Sequence, residues 1–336
     1  MNPLDAPTEI DDRALPEIPL VRLGAAGPAA LIDAEPERFS AIMQAGRAHY
    51  GTGALARGDA LSKRWLGRQA NPYAGEIGAI AARAETPGAY LLNLSYEWTC
   101  TTSAAADPSG TGNRLLRTLD WPLDGLGRNV VVAETEGAAG TYLNVTWPGF
   151  AGVATAMAPG RFAAALNQPP MRRWTPSCWL DWGINRVRVW RRRALPPVHL
   201  LRRVFDECRS YAEARRMLSE TPLAMPAFFT LSGLGADEGC VIERREDRAD
   251  IREAPASVAN HWMAVRQPGR ARGIDSEGRY RLMEALRDQT PDDFTWVQPP
   301  ILNETTRLAV IANAAAGRLK VQGWEADGPA TRPFTL

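Results

Sequence analysis

A predicted strand of small residues begins at Cys100, and an arginine and an aspartate follow on the next predicted strand. A turn of the Pro/Gly type at residues 107–110 separates the two strands. Arg117 and Asp120 lie 17 and 20 residues after the cysteine. A lone cysteine carries little information, because free cysteine is among the most buried residue types. An arginine and an aspartate on the neighbouring strand make Cys100 a candidate nucleophile.

Composition excludes several classes of function. Hydrophobic residues make up 45% of the 336, which is ordinary for a globular protein with a full core. The net charge is +1 and no nucleic-acid-binding module is recognisable, so we expect no nucleic-acid partner. The four cysteines lack Cys-x-x-Cys spacing and the three histidines are scattered. We therefore expect no metal and no cofactor.

The sequence predicts a cytoplasmic protein. Residues 1–5 show neither a basic n-region nor an apolar h-region of a secretory signal. No apolar run reaches the roughly 18 residues that a membrane-spanning helix needs. Reduced thiols are then the default state of the cysteines.

Residue patterns predict a layered α+β domain. Helices are predicted over residues 36–66, 76–84, 198–208, 211–219 and 279–287. A possible edge strand covers residues 18–23, and residues 89–96 form a helix-to-strand approach to Cys100. The other predicted strands cover residues 103–106, 115–119, 129–134, 141–147, 152–157, 162–166, 228–232, 239–244, 256–260, 307–313 and 317–324. Strands on both sides of a helical block favour two packed sheets with helices outside.

Six motifs occur in the order of a known family. They cover residues 71–102, 117–122, 227–233, 238–244, 259–262 and 300–303. These stretches resemble the acid ceramidase and N-acylethanolamine acid amidase family of N-terminal-nucleophile hydrolases, which is related to bile-salt hydrolase and penicillin V acylase. Each motif alone is weak, but six in register are specific.

The resemblance implies a fold, a processing step and a reaction. The fold is a single-domain, four-layer αββα sandwich. The chain would cut itself at Thr99–Cys100 into an N-terminal α-chain, residues 1–99, and a catalytic β-chain, residues 100–336. The reaction is hydrolysis of a linear carbon–nitrogen amide in a small N-acyl, lipid-like substrate through a thioester.

Self-cleavage would place nucleophile and base on one residue. A thiolate is needed for attack, and a free thiol has a pKa of about 8.5. The freed α-amine of Cys100 would have a pKa of about 7.7–8 and can accept a proton near neutrality. Arg117 would favour the charged thiol, and Asp120 would hold the new ammonium.

The resemblance also implies two oxyanion-binding asparagines. Asn260 matches the family's asparagine that donates to the tetrahedral oxyanion, and Asn167 matches a second one. Gln168 stands where acid ceramidase-like enzymes carry glutamate, and this departure argues against acid-linked activation.

An insertion complicates the last catalytic position. The family has an arginine shortly after the Asn260 motif, whereas this chain inserts residues 263–273. Arg279 or Arg281 can take that place, and we assign Arg279.

The stretch of residues 172–193 is rich in arginine and tryptophan. It contains Trp174, Trp179, Trp182 and Trp190. The interpretation that we favour is a solvated basic face with the tryptophans packed inward. The alternative is an interfacial lip that contacts a membrane and admits a lipid-like substrate.

Two alternatives to an amidase stay open at this point. An acyltransferase on the same scaffold would pass the acyl group to an added amine faster than to water. A non-catalytic binding protein would keep the chain uncut and the thiol at position 100 unreactive. The sequence leaves the two halves of the substrate and the oligomeric state undetermined.

Overall fold

The computed structural model describes residues 15–94 and 97–336. The helices are α1 (Pro28–Ala34), α2 (Pro36–Tyr50), α3 (Thr52–Leu66), α4 (Ala74–Ala84), α5 (Ala89–Leu94), α6 (Cys178–Arg191), α7 (Pro197–Glu207), α8 (Tyr211–Glu220) and α9 (Ser276–Leu286). None of these described helices is long and apolar enough to cross a membrane. The sequence-based expectations for residues 1–14 and for the end of the 89–96 stretch lie outside the described residues.

Seventeen strands lie between the helices in the part of the chain that the structure describes. They are β1 (Leu20–Gly24), β2 (Thr99–Ala106), β3 (Asn113–Asp120), β4 (Val131–Gly137), β5 (Gly140–Thr146), β6 (Thr155–Ala158), β7 (Phe162–Asn167), β8 (Met171–Arg172), β9 (Ala227–Ser232), β10 (Gly239–Arg244), β11 (Ala249–Glu253), β12 (Ala256–Val258), β13 (Gly269–Arg270), β14 (Thr306–Asn313), β15 (Arg318–Glu325), β16 (Gly328–Pro329) and β17 (Phe334–Thr335).

Two large sheets form the centre of the molecule. The first has the strand order β1-β4-β5-β6-β7-β9-β10-β11, and the second has the order β12-β2-β3-β14-β15-β16, with β17 also paired to β15. Strand β1 pairs with β4 in parallel and at the edge, as predicted for residues 18–23. A short ribbon of β8 and β13 stands apart from both sheets.

The sheets pack face to face, and helices cover their outer faces. Strands β2 and β3 of the second sheet contact β7 and β9 of the first, while α7 and α8 cover the first sheet and α9 covers the second. Small side chains let the sheets approach closely: Ala104, Ala163 and Ala165 are fully buried. This arrangement confirms the predicted αββα layers.

Local signals explain some of the helix boundaries. The predicted helical stretch 36–66 is two helices, because Gly51 between them has φ +77°, a conformation that favours glycine. Ser210 caps α8 as predicted, its hydroxyl accepting from the Glu213 N–H. Helices α1 and α6 and strands β8, β11, β13, β16 and β17 were not predicted.

Candidate active site

Adjacent strands bring Cys100 and Arg117 together at the centre of the sandwich. Cys100 pairs with Leu119 and Thr102 with Arg117, so the cysteine and the arginine lie on the same face of the sheet. Arg117 Nη2 is 3.1 Å from Cys100 Sγ and 3.2 Å from the Leu166 carbonyl oxygen. Both side chains are fully buried. The contact expected from the spacing of these two residues is present.

The surroundings of the thiol act on its ionisation in opposite directions. Burial raises the pKa of Cys100, and the nearby Asp120 carboxylate adds to this effect. The Arg117 guanidinium lowers it, through both its charge and its hydrogen bond. Two further hydrogen bonds hold the guanidinium in place, because its Nη1 donates to the Ala154 carbonyl and to the Thr155 hydroxyl. In the uncut chain the buried thiol therefore stays neutral, with a cation already in position to stabilise the thiolate.

Asp120 and Arg279 form a buried ion pair beside the nucleophile. Arg279 Nη1 lies 3.5 Å from Asp120 Oδ2 and donates to the Cys100 carbonyl oxygen at 2.8 Å. The other carboxylate oxygen of Asp120 accepts from the Thr306 hydroxyl at 3.0 Å. Burial raises the pKa of Asp120, and Arg279 opposes that rise. Although it follows an insertion, Arg279 thus reaches the residue that the sequence marks as nucleophile.

Asn260 connects the nitrogen of Cys100 to the rest of the site. Its Oδ1 accepts from the Cys100 main-chain N–H at 3.1 Å and from Arg279 Nη2 at 2.9 Å. Its Nδ2 donates to the Gln168 carbonyl oxygen at 2.7 Å. The Ser276 hydroxyl, at the start of α9, accepts from the Asn260 N–H at 2.8 Å. The asparagine is therefore held at the atom that would become the α-amine if the chain is cut at the predicted site.

Asn167 is the last residue of β7, and its side chain reaches β2 and β12 of the second sheet. Its Oδ1 accepts from the Thr102 hydroxyl at 2.6 Å, and its Nδ2 donates to the carbonyl oxygens of Val258 and Ala259 at 3.2 Å each. The amide group is thus occupied in the uncut chain. Its oxyanion-binding role stays a prediction.

Comparisons with known proteins agree with this geometry. No family model matches the chain. Acid ceramidase from Bos taurus is 30% identical over 290 residues, which cover 76% of this chain and 70% of that protein. The chain belongs to the acid ceramidase family. The N-acylethanolamine-hydrolyzing acid amidase of Oryctolagus cuniculus is also 30% identical, over 166 residues that cover 48% of this chain and 44% of that protein.

A solved structure supports the fold of this acid ceramidase family member. The Caenorhabditis elegans N-acylethanolamine-hydrolyzing acid amidase ortholog has a TM-score of 0.51 and 18% identity, and the match covers 70% of this chain and all of that one. The likeness bears on the fold alone. The N-terminal-nucleophile hydrolase fold predicted from the motifs is confirmed.

Residues that support Asp120 and Asn260 were missed as site residues. Thr306 and Ser276 carry no local signal, because each acts through one hydroxyl brought from a distant part of the chain. Asn303 did have a signal, since it ends the family motif at residues 300–303. Its main-chain N–H donates to the Thr306 hydroxyl at 3.0 Å, and its side chain also lowers the pKa of Asp120.

The favoured interpretation of residues 172–193 is wrong. The tryptophans do not pack inward: Trp179 is 84% exposed, Trp182 is 50% exposed and Trp174 is 43% exposed. The cause is that α6 stands away from both sheets, with only Asp181 buried along its length. Trp190 alone of the four is partly buried, against the cluster that contains Trp65.

Proposed function

We propose that this chain is a self-processing cysteine amidohydrolase that cleaves the linear carbon–nitrogen bond of an N-acyl amide. The observation that carries the proposal is the geometry at Cys100: a guanidinium at 3.1 Å from the thiol and an asparagine oxygen at 3.1 Å from the main-chain nitrogen. The names of its relatives, acid ceramidase and N-acylethanolamine-hydrolyzing acid amidase, describe enzymes that act on such amides.

Self-cleavage is the first reaction in this proposal. The Cys100 sulfur adds to the Thr99 carbonyl carbon, and the carbon–nitrogen bond of the peptide breaks as the nitrogen takes a proton. Water then cleaves the resulting thioester, which leaves a carboxyl group on Thr99 and an amine on Cys100. In the uncut chain Cys100 is fully buried and its nitrogen is an amide, which cannot act as a base. Cleavage therefore creates the catalytic base.

Turnover repeats the same chemistry on the substrate. The free α-amine of Cys100 accepts the thiol proton, and the sulfur attacks the amide carbonyl to form a thioester. The amine then gives the proton to the departing nitrogen, and water releases the acyl group. Asp120 pairs with Arg279, which donates to the Cys100 carbonyl oxygen, and we assign the carboxylate to hold the ammonium while the guanidinium holds that oxygen.

Asn260 is the proposed donor to the oxyanion. Its amide group carries two hydrogens, and one of them bonds the Gln168 carbonyl oxygen at 2.7 Å. A neutral donor fixed where charge develops contributes several kcal/mol in a dry site, on the order of 3 kcal/mol for one group. Asn167 would complete the oxyanion hole once cleavage rearranges its surroundings.

An apolar region beside the nucleophile suits the acyl half of the substrate. Trp98, two residues before Cys100, packs against Trp121 and Phe150 with ring centroids 5.1 and 6.3 Å apart. Trp121 and Phe150 also line an apolar cavity of about 40 Å³ that is bounded by α2 and α4. This space is too small for an acyl chain as it stands. Release of Trp98 after cleavage would enlarge it and join it to the thiol.

The test of the proposed function is an intact-mass measurement beside a matched variant. Purified protein should give two fragments, residues 1–99 and 100–336, and Cys100→Ala should give one. The cut protein should then release fatty acid from N-acylethanolamines or ceramides, with no release by Cys100→Ala. An uncut wild-type chain with no turnover would overturn the proposal.

We further propose that the exposed apolar face of α6 contacts a membrane surface. Its exposed apolar side chains are Trp179, Leu180, Trp182, Ile184 and Val187. Arginines accompany them, and the Arg186 guanidinium lies 5.2 Å from the Trp182 ring centroid. Tryptophan and arginine on one exposed helix suit the headgroup region of a bilayer that contains anionic lipid.

Vesicle sedimentation tests the membrane contact. The double variant Trp179→Ala/Leu180→Ser should weaken binding to phosphatidylcholine–phosphatidylserine vesicles at least about tenfold. The reason is that burying each of these side chains in the bilayer contributes roughly 1.5–3 kcal/mol to the free energy of binding. Leu234→Ser is the matched control, because Leu234 is 41% exposed in the loop between β9 and β10. Equal binding by wild type and the α6 variant would exclude this face.

A further inference from the structure

The inserted residues 263–273, here called the strap, end against the predicted cleavage site. Gly273 is the last residue of the strap, and it lies beside Thr99, whose carbonyl carbon Cys100 would attack. A methyl group added to the Gly273 Cα would come within 2.6 Å of Thr99 Oγ1 and within 2.9 Å of Thr99 Cβ and Cγ2. Thr99 is itself buried, with 7% of its surface exposed. The strap therefore packs directly on the residue that precedes the nucleophile.

Two separate features require glycine at position 273. Its φ is +68°, in the left-handed region where an L side chain is strained. The second feature is the contact with Thr99, which rotation of the threonine side chain cannot relieve, because Cβ stays in place when Oγ1 and Cγ2 move. Any larger residue at position 273 must therefore displace the main chain of Thr99 or the strap itself.

The strap is anchored along its length before it reaches Thr99. At its start, the main-chain N–H groups of Met263 and Ala264 donate to the fully buried Glu243 carboxylate at 3.2 and 3.1 Å. In its second half, β13 pairs with β8, and Arg270 Nε donates to the fully buried Asp181 at 2.7 Å. Buried carboxylates thus fix both the start and the middle of the strap.

The residue after the strap is tied to the nucleophile by a single side chain. Arg279 Nε donates to the Ile274 carbonyl oxygen at 2.7 Å. The same guanidinium donates to the Cys100 carbonyl oxygen at 2.8 Å and to Asn260 Oδ1 at 2.9 Å. Gly273 is therefore fixed on both sides, and its position is set relative to the atoms of the cleavage site.

We propose that Gly273 is a positioning residue for self-cleavage, through which the strap holds the Thr99 carbonyl carbon in reach of the Cys100 sulfur. The inference rests on the proposed self-processing function and gives the strap a role in it. Thr99 pairs with Asp120 at the start of β2, so strand pairing holds one side of this residue and Gly273 holds another. Displacing a reacting group by about 1 Å can cost about 100-fold in rate.

The step that depends on this contact is the transfer of the Thr99 acyl group from nitrogen to sulfur. A bond forms between Cys100 Sγ and the Thr99 carbonyl carbon, the carbon–nitrogen bond of the peptide breaks, and the thiol proton passes to the departing nitrogen. Water then hydrolyses the thioester, and no oxidant, reductant or metal is required. Turnover of an external amide does not use the Thr99 acyl group, so the contact bears on processing far more than on turnover.

The experiment follows self-cleavage of freshly synthesised chains. Cell-free translation supplies the uncut chain, and the appearance of the two fragments is timed on denaturing gels. Gly273→Ala should cut about 10- to 100-fold more slowly than wild type. Gly317→Ala is the matched control, because Gly317 has φ +65° and no atom of the described residues lies within 4 Å of a methyl group added there. It should cut within about twofold of the wild-type rate.

Removing the opposing side chain should restore the rate. Thr99→Gly deletes all three atoms that the new methyl group would meet. Gly273→Ala in the Thr99→Gly background should therefore cut as fast as Thr99→Gly alone. Per mole of the 100–336 fragment, cut Gly273→Ala should hydrolyse N-lauroylethanolamine nearly as fast as cut wild type. A general defect in folding would slow both reactions and would not be relieved by Thr99→Gly.

The outcomes separate this inference from the proposed function. Self-cleavage of Gly273→Ala at the wild-type rate would overturn the role of the strap and leave the amidase function intact. Equal slowing in Gly317→Ala, or slowing that persists in the Thr99→Gly background, would also overturn it. A wild-type chain that neither cuts itself nor hydrolyses an amide would overturn the proposed function as well.

A second variant decides the matter if Gly273→Ala does not fold. Thermal unfolding of Gly273→Ala in the uncut Cys100→Ala background reports whether the fold is retained. Arg270→Gln frees the strap from Asp181 without adding bulk beside Thr99, and it should slow self-cleavage about tenfold. Cleavage of Arg270→Gln at the wild-type rate would overturn the positioning role.

Discussion

The guanidinium of Arg117 donates to the Cys100 thiol across 3.1 Å, and both side chains are fully buried. Burial alone disfavours a thiolate at this position, whereas the arginine favours it. Arg117 is held on its other side by main-chain and hydroxyl oxygens of β6 and its flank. The thiol therefore meets a cation that is fixed before the reaction begins.

Replacing Arg117 should raise the pKa of the nucleophile. Arg117→Lys keeps a charge but loses the planar fork that contacts the thiol and the Leu166 carbonyl together. The pH midpoint for iodoacetamide alkylation of Cys100 in the cut enzyme should move upward, and the rate at pH 7 should fall about tenfold. Arg281→Gln should leave the midpoint in place. An unchanged midpoint in Arg117→Lys would show that another group controls the thiol.

The other buried cysteines should be dispensable for the chemistry. Burial raises the pKa of Cys208 and of Cys240 to about 11, so both stay protonated near neutral pH. Cys208→Ala and Cys240→Ala should retain self-cleavage and most activity, with a stability loss of roughly 1 kcal/mol each from the lost packing. Cys178→Ala, on an exposed position, should resemble wild type. Loss of fragment formation in any of these three, with the fold intact, would point to a second essential thiol.

Local patterns were sufficient to predict the hairpin that joins Cys100 to Arg117. The turn at residues 107–110 and the small residues of β2 are short-range signals, whereas the register of β2 and β3 is known only from the structure. The ordered motifs were sufficient for the αββα layers. The assignment of Arg279 required a choice between Arg279 and Arg281, because the inserted residues 263–273 change the distance from the Asn260 motif to the family's arginine. Helix α6 was missed because its apolar side chains face outward, so no core-facing period exists there.

Asn260→Ala should slow both reactions at Cys100. The substitution removes the acceptor for the Cys100 N–H and a partner of Arg279, and it removes the proposed oxyanion donor. We expect kcat to fall about 100- to 1,000-fold with a small change in KM. Self-cleavage, followed by fragment masses over time, should slow in parallel. A variant that changed KM alone would indicate a substrate-positioning role for Asn260.

The two fragments should stay together after cleavage. The Glu76 carboxylate of α4 pairs with the Arg202 guanidinium of α7, and Arg202 also donates to the Ala151 carbonyl at 2.9 Å. Tyr73 adds a hydrogen bond of 2.8 Å to Asp206. Cut wild type should elute from size exclusion as one species, and Glu76→Gln should lower the free energy of fragment association by about 2 kcal/mol. Glu207→Gln removes an exposed pair on α7 and is the control. Separation of the wild-type fragments in native buffer would contradict this prediction.

Acid should weaken the fold through His199. This histidine is fully buried in α7, with Nδ1 at 2.8 Å from Asn71 Nδ2, and burial lowers its pKa to about 3. Between about pH 6.5 and pH 3 the unfolded chain binds a proton there and the folded chain does not. The stability contributed by neutral His199 is therefore complete above about pH 6.5, and it falls by about 1.4 kcal/mol per pH unit below that value.

Urea unfolding at several pH values isolates the histidine. The uncut Cys100→Ala chain provides a single polypeptide for the measurement, and His199→Gln in that background keeps a polar group beside Asn71 without a titrating ring. The difference between the two unfolding free energies should decline as pH falls from 6.5 to 4. The buried Asp107 has a pKa that is lowered by its hydrogen bonds from Asn313 and Ser109, so its contribution to stability is lost below about pH 4. This loss is the same in both chains and cancels in the difference. A difference that stays constant over this range would mean that His199 is protonated in the folded protein.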